Sequence, residues 1–488
     1  MYTLTTRINY RRARAAVLTT VVVFLLLWLP GCGGGNSAGS NTASDDEVLY
    51  LQAEALYTQK QYAQADTILD QILRDYPNGP AVDDAHFLKG KIAYQNASYT
   101  LATSEFNTVI NDYAGSALVD NALLWKGKTE HVQANYVAAR TQYQRVLDNY
   151  PTSDAVEDAR YELAKTYYDD GNATTTPDAA KLNTAITKFQ DILSNHPTSP
   201  KVDDTQYYLA RSHHALGHYA TARTEYTAVL AHTGSTWQDN AQFQIGRTYY
   251  SEADDLSKAN PLGGAAAEVN ALLDNALAAF NLVLTNYPTG TSVDSAQYYI
   301  GRSYHQMEPV STANLIQARD HYNTVITSYP TSTFVDNAQF QIGRTYYNDA
   351  ALPGNVGQYD QALVEFAKVL SVYPGSSSID DAQHYLGKTY HRRGIATANP
   401  DDLVTARSEY QKVIDTYTTS TLRDNAAYRI GETYHDAEAA GLGIGSCTAE
   451  IAQMQLVVST YPGTTSATSA QAHLDDISSA RVDHGFCP

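Results

Sequence analysis

Eight basic side chains recur along the chain in one local sequence context, and groups of this kind bind anions. An aromatic residue lies four positions before most of them, and a tyrosine or histidine lies three positions after each. Ammonium and guanidinium groups form charge-assisted hydrogen bonds with carboxylates and stack on aromatic rings. The pattern predicts a binding groove with cations Lys91, Lys128, Lys165, Arg211, Arg247, Arg302, Arg344 and Lys388, aromatic members Tyr161, Tyr207, Phe243, Tyr298 and Phe340, and histidines His214, His305 and His391.

Two explanations of this row of cations stay open, and they are compatible. The cations suit the carboxylates of an extended acidic peptide or an anionic glycan. Alternatively, each cation pairs with an acid or amide of a neighbouring repeat and fixes the register of the repeats. The residues available for such pairs lie seven positions before each cation, as in Asp158, Asp204 and Asn337.

The elements that position these residues follow from a repeat. Tyrosines that end successive units recur at a shortest interval of 37 residues, as from Tyr76 to Tyr113 and on to Tyr150, and several precede proline. Each unit predicts two amphipathic helices, like residues 336–347 and 359–370. A glycine in the first helix and an alanine in the second allow close approach, and a large residue four positions after the alanine fills the groove. We also expect capping boxes before the first helices, as at Thr291/Asp294, Thr333/Asp336 and Ser377/Asp380.

This series of glycine, tyrosine, alanine, aromatic residue and proline resembles the tetratricopeptide repeat. The resemblance covers residues 47–462 and implies an all-α, right-handed solenoid of about ten helical hairpins, with a capping helix and tail at 463–488. It also implies that the first helices line a concave groove that binds extended partner segments. With the N-terminal features below, the chain resembles bacterial envelope lipoproteins such as the outer-membrane assembly factor BamD and the cell-division coordinator CpoB.

The N-terminus has the features of a lipoprotein signal peptide. Basic residues at 11–14 precede an apolar run at 15–29, and Leu29-Pro30-Gly31-Cys32 resembles a lipobox. We therefore predict a signal peptide at 1–31, then lipidated Cys32 and a flexible tether at 32–46. Gly33 resembles the residue that follows the lipidated cysteine in lipoproteins of the outer membrane. We therefore expect an outer-membrane location in which the chain faces the periplasm. A twin-arginine signal at Arg11-Arg12 and a retained membrane anchor are the alternatives.

Composition and motifs exclude several functional classes. A hydrophobic fraction of 43% excludes disorder, and a net charge of −19 excludes a uniformly basic nucleic-acid surface. No glycine-rich phosphate loop, G-x-S-x-G or H-E-x-x-H motif is present, so we expect neither an enzyme nor a cofactor. Histidines of alternate repeats would lie about 20 Å apart, too far to share a metal. In an oxidising compartment we expect a disulfide between Cys447 and Cys487.

The sequence therefore predicts a non-catalytic protein-interaction scaffold that is anchored by lipid in the bacterial envelope. By resemblance, its partners are envelope proteins or peptide segments, in outer-membrane assembly or cell-division machinery. A peptidoglycan-binding module is the alternative, because tyrosine, asparagine and aspartate suit sugars. End-to-end self-assembly is a third class, and the charged residue Asp475 in the last predicted helix argues against it.

Overall fold

The computed structural model describes residues 43–261 and 263–478. The predicted signal peptide, Cys32, most of the tether and Cys487 lie outside the described residues. Within them the chain forms 21 α-helices and no β-strand. The helices are α1 Asp45–Thr58, α2 Tyr62–Asp75, α3 Val82–Gln95, α4 Tyr99–Asn111, α5 Val119–Val132, α6 Tyr136–Asn149, α7 Val156–Gly171, α8 Ala179–Asn195, α9 Val202–Ala215, α10 Tyr219–Ala231, α11 Gln238–Ala259, α12 Ala266–Asn286, α13 Val293–Gln306, α14 Thr312–Ser328, α15 Val335–Ala350, α16 Gln358–Val372, α17 Ile379–Thr397, α18 Pro400–Thr416, α19 Arg423–Ala439, α20 Cys447–Thr460 and α21 Thr465–Ser478.

In chain order the helices form ten pairs and a final helix, which confirms the predicted class of helical-hairpin repeat. The chain divides into two compact units at residue 92. In the first unit, α1, α2 and most of α3 pack around Leu69, Ile72 and Leu88. In the second unit each helix packs against the next, and several first helices also contact the first helix of the next pair. The final helix, α21, packs against α20 and α19.

In six of the described pairs a large side chain of the second helix lies against a glycine of the first, and Ala53, Ala164 and Ala210 take that position in three others. A Cβ atom added to Gly343 would lie 2.6 Å from the ring of Phe366, and one added to Gly301 would lie 2.7 Å from the ring of Tyr322. The large residues at this position are fully buried, as are the alanines four positions before them. The sequence prediction for this contact is confirmed at Gly127, Gly246, Gly301, Gly343 and Gly387.

The capping boxes predicted at Thr291/Asp294, Thr333/Asp336 and Ser377/Asp380 are wrong, although Ser44 and Glu47 form one before α1. The residues at the helix starts, such as Ser292, Phe334 and Ser378, make no side-chain capping hydrogen bond. Instead, the serine of the link between repeats accepts a hydrogen bond from the backbone N–H two residues on. The Ser332 and Ser376 hydroxyls do so at 3.1 and 3.0 Å. The predicted Thr333 lies one residue before the helix start at Phe334, and Ser332 accepts its hydrogen bond from the N–H of Phe334 rather than from an N–H inside the helix.

Extra residues lengthen helices more than the turns between them. The insertion between the glycine of α11 and the alanine of α12 extends both helices, which have 22 and 21 residues, against 14 in α5. The long α12 is the one described helix that is long and apolar enough to cross a membrane. Its apolar residues have another role, since Leu273, Phe280 and Val283 are buried in the repeat core.

The contact between glycine and ring gives the first prediction. Gly343→Ala should destabilise the α15–α16 pair by about 1–3 kcal/mol, because the added methyl group overlaps the Phe366 ring. An alanine in a helix interior without this contact would instead stabilise it by about 1 kcal/mol. Hydrogen exchange of the amides of α15 and α16 measures the change. Phe366→Leu should partly restore protection, since Leu69 fills the equivalent position in α2.

Gly375→Ala is the matched control, because nothing lies within 4 Å of a Cβ at that position. Equal protection in Gly343→Ala and Gly375→Ala would contradict the assigned contact.

Candidate functional site

The eight predicted cations all lie on first helices and are half-buried. Seven of them belong to the second unit, on what we call the first-helix face, the surface formed by the first helices α5 to α17. Lys91 lies in the first unit, where its Nζ is 4.7 Å from the centre of the Tyr57 ring. The predicted row thus exists within the second unit, although its members have different partners.

Tyrosines lie between successive cations of the first-helix face. Arg247 and Arg302 both stack on Tyr299, at 4.4 and 5.7 Å from the ring centre. Arg344 and Lys388 share Tyr385 in the same way, at 5.7 and 4.4 Å. Lys165 and Arg211 share Tyr208 at 5.4 and 5.3 Å. Sequence reasoning missed these three tyrosines, although each directly follows a residue of the predicted aromatic column.

The predicted aromatic members of the groove are not on its surface. Tyr207 is 3% exposed and Tyr298 is 5% exposed, and each ring stacks on the link residue of the next repeat. The assignment of Tyr161, Tyr207, Phe243, Tyr298 and Phe340 as exposed ligand contacts is therefore wrong, since all five are buried in the packing between helices. Helical spacing placed them on the correct side, but the neighbouring helix covers them.

Histidines of the row join one repeat to the next. The Nε2 atom of His214 lies 3.2 Å from the Ser251 hydroxyl, and that of His305 lies 2.8 Å from the Asn348 amide nitrogen. His391 contacts Asp436 at 2.9 Å. Burial and the charges of nearby arginines lower the pKa of His214 to about 4 and that of His305 to about 3. These two imidazoles are neutral at neutral pH.

The N-terminal part of the face carries its own counter-charges. A pocket of about 680 Å³ is lined by Lys128, His131, Glu162, Lys165 and Asp169, among others. Lys165 contacts Asp169 at 2.6 Å, and Lys128 lies 3.6 Å from Glu162. His131 also contacts Asp169, at 2.9 Å. Lys128, His131 and Lys165 therefore have acidic partners in this pocket, whereas Arg211, which also lines it, has no carboxylate within ion-pair distance among the described residues.

The middle of the face carries cations without counter-charges. In the described part of the chain, no carboxylate lies within ion-pair distance of Arg211, Arg247, Arg302, Arg344 or Lys388. One of the two proposed roles of the row is pairing with an acid or amide of a neighbouring repeat. Lys128 shows this pairing clearly, since it lies 3.6 Å from Asp158. Burial, followed by the charges of Arg429, Arg344 and Arg392, lowers the pKa of Lys388 to about 8.

A second pocket lies within this uncompensated section. It has a volume of about 280 Å³, and its lining includes Arg302, His305, Tyr322, Arg344 and Asn348. The one carboxylate in its lining belongs to Asp254, which pairs with Lys258 at 2.7 Å. The site can therefore accept an anion with little competition from its own acids.

A separate group of titratable residues joins the last helices. His435, Glu450 and His473 lie on α19, α20 and α21, and their donor atoms are all within 4.8 Å of one another. Burial opposes ionisation of Glu450, but hydrogen bonds from the two imidazoles lower its pKa to about 2. Sequence reasoning, which expected no metal site, missed this set of possible metal ligands because its members lie on three different helices.

Cys447 is disulfide-bonded. It begins α20, and the other two cysteines, Cys32 and Cys487, lie outside the described residues. The bond between Cys447 and Cys487 stays a prediction, as does lipidation at Cys32.

Comparison with known families agrees with the helical-repeat architecture. The YfiO family model, described as an outer membrane lipoprotein, matches residues 116–213, which include most of the first pocket. A tetratricopeptide-repeat model matches residues 47–79 and 337–376. The chain therefore contains tetratricopeptide repeats, which generally mediate interactions between proteins, and neither model describes an enzyme family. No curated protein matches the chain.

Several solved structures are similar to this chain. The C-terminal part of a tetratricopeptide protein from Cytophaga hutchinsonii has 15% identity and a TM-score of 0.38, over 59% of this chain and 98% of that chain. Human IFIT1 with m7Gppp-AAAA has 14% identity and a TM-score of 0.43, over 90% and 91%. A tetratricopeptide protein from Parabacteroides merdae has 12% identity and a TM-score of 0.39, over 64% and 98%.

The uncompensated cations give the second prediction. Competitive labelling of amines across pH should give Lys388 a pKa of about 8, because its ammonium group is partly desolvated beside three arginines. Arg344→Gln should raise this pKa, since it removes one of the repelling charges. A wild-type midpoint near the ordinary lysine value of 10.5, or no shift in Arg344→Gln, would contradict the charge environment described here.

Proposed function

We propose that this chain is a non-catalytic scaffold of the bacterial envelope that binds extended acidic segments of partner proteins on its first-helix face. The observation that carries the proposal is the run of Arg211, Arg247, Arg302, Arg344 and Lys388, which lacks counter-charges within the described residues. The chain as a whole has a net charge of −19. A basic row on an acidic protein selects an anionic partner and steers it to one surface.

The row favours an extended ligand because its members come from consecutive first helices. Arg211 is on α9, Arg302 is on α13 and Lys388 is on α17. A compact ligand would reach one or two of these groups, whereas an extended segment can reach all of them. Stacking on tyrosines restricts the guanidinium groups before binding, so less conformational entropy is lost when a carboxylate binds.

The envelope location is supported by two independent features. The lipobox-like sequence before Cys32 predicts an N-terminal lipid, and the matching family model describes outer membrane lipoproteins. We infer an outer-membrane anchor facing the periplasm, with partners among outer-membrane assembly or cell-division proteins like those of BamD and CpoB. The tether predicted before α1 would let the repeats reach such partners from the membrane surface.

Binding of a glycan is less well supported. Sugar rings stack on exposed aromatic faces, but the predicted aromatic column is buried between helices. Tyr299 is buried as well, and the half-buried Tyr208 and Tyr385 already stack on cations. The surface thus offers charged groups more than stacking platforms, which favours carboxylates.

The proposal predicts that charge on this face controls partner binding. The full lipidated chain, with a photoreactive amino acid at Gln306 beside the second pocket, should crosslink an envelope protein that mass spectrometry can identify. The same group at Val364, which is half-exposed on the second helix α16, should not crosslink that protein. Replacing Arg247, Arg302 and Arg344 together by Glu should weaken binding of the identified partner at least 100-fold, because three attractions become repulsions.

Arg145, Lys368 and Lys412 are exposed cations on second helices, and their joint replacement by Glu is the matched control for net charge. A glutamine series at the three arginines separates loss of attraction from misfolding, which circular dichroism also checks. Equal effects of the two charge-reversal sets would overturn the proposed site. Sedimentation with purified peptidoglycan that depends on the same arginines would support the glycan alternative instead.

A further inference from the structure

Eight successive helix pairs of the second unit alternate between two types, and the last pair, with His435 and Met454, departs from both. In one type a histidine at the groove position of the first helix accompanies a tyrosine as the large residue of the second helix. In the other type a tyrosine accompanies a phenylalanine. The first type is His131/Tyr143, His214/Tyr226, His305/Tyr322 and His391/Tyr410, and the second is Tyr94/Phe106, Tyr168/Phe189, Tyr250/Phe280 and Tyr347/Phe366. The structural unit that repeats is therefore a set of two helix pairs.

The tyrosines of the first type share an unusual property. Each of the four is fully buried, and its hydroxyl has no hydrogen-bond partner among the described residues. A buried donor without a partner costs free energy, and phenylalanine fills the same position in the alternate pairs without that cost. A hydroxyl that recurs four times at this position indicates a use that packing alone does not explain.

Two of these hydroxyls lie in the uncompensated section of the first-helix face. Tyr322 lines the second pocket with Arg302 and Arg344, and the Nε group of Arg344 is likewise buried without a hydrogen-bond partner among the described residues. Tyr226 has the equivalent neighbours Arg211 and Arg247, whose charges act on it. The Nε group of Arg247 has no partner in the described chain either.

In the first pocket, acidic side chains neutralise the cations at the position equivalent to the second pocket. It has Glu162 and Asp169 where the second pocket has Gln341 and Asn348. The position around Tyr226 has Gln244 and Ser251, which are also uncharged. The two middle positions therefore combine unpartnered donors with positive charge, and the first pocket does not.

We propose that these two positions are equivalent sockets for carboxylates, one formed by Arg211, Arg247 and Tyr226 and the other by Arg302, Arg344 and Tyr322. In each socket the carboxylate accepts hydrogen bonds from the arginine Nε group and the tyrosine hydroxyl. The neutral imidazoles of His214 and His305 border the sockets without adding charge. This assignment rests on the proposed binding of acidic segments and names the residues that such a segment presents.

The spacing of the sockets sets the spacing of the acids. Packed helices lie about 8–10 Å apart, so one helix pair advances the repeat by about 10 Å and two pairs by about 20 Å. An extended peptide rises about 3.3 Å per residue. Acidic side chains about six residues apart therefore reach both sockets at once, and the second contact benefits from a high effective concentration.

Synthetic glycine-serine peptides with two glutamates test this spacing. Binding to the full lipidated chain in detergent is measured by fluorescence anisotropy. A six-residue separation should bind at least tenfold more tightly than a two-residue separation of the same composition. Tyr226→Phe with Tyr322→Phe should remove this advantage while leaving thermal stability equal or higher. A fall in stability with unchanged affinity would mean that the hydroxyls are structural and would overturn the sockets.

A second experiment gives each pocket the charge pattern of the other by substitution. Gln341→Glu with Asn348→Asp makes the second pocket resemble the first, and should weaken binding of the six-residue peptide about tenfold or more. Glu162→Gln with Asp169→Asn in the first pocket should not weaken it. No effect of the first exchange would refute the second socket.

The two proposals fail in distinguishable ways. Loss of binding in the triple arginine reversal, with no dependence on acid spacing or on the tyrosine hydroxyls, would leave the scaffold proposal standing and remove the sockets. Binding that is insensitive to the arginines would remove both.

Discussion

The fold depends on one contact, in which a large side chain of the second helix occupies the space above a glycine of the first. The absent Cβ at Gly301 or Gly343 lets the ring lie where any side chain would collide with it. The alanine four positions before the ring lets the two backbones approach. Because this position holds glycine or alanine in every pair, the repeats keep their register even where insertions lengthen the helices, as in α11 and α12.

That register determines the chemistry of the first-helix face. Close packing buries the tyrosines and phenylalanines that helical spacing alone would expose, and it leaves the cation one turn further along half-buried. Most of the cations then lie over a tyrosine of an adjacent first helix, as Arg247 does over Tyr299, whereas Lys128 lies over Trp125 of its own helix. Arginine suits this position better than lysine because its planar guanidinium stacks on the ring and still directs N–H groups outward.

The sequence predicted the helices, the glycine contact and the positions of the cations, because all three follow from a pattern that recurs ten times. It did not predict burial of Tyr207 and Tyr298, since periodicity within one helix shows which residues share a side but not how far the next repeat covers them. It also misplaced the helix caps, because the serine bond of the link spans only two residues and competes with the capping box. The cluster of His435, Glu450 and His473 was missed because its members lie on three different helices, and spacing along the sequence does not show that they are close together.

The difference between the two pockets concerns function more than folding. Glu162 and Asp169 show that this repeat accommodates acids beside its cations, and ion pairs form there without disturbing the stack. Gln341 and Asn348 at the same positions leave Arg302 and Arg344 without counter-charges, although a chain with 52 acidic residues has many acids to place there. Repulsion between unpaired cations lowers stability, and the depressed pKa of Lys388 reflects such repulsion together with burial. Under the proposed function, an anionic segment that binds at the middle of this face would relieve this repulsion, and the relief would add to its affinity.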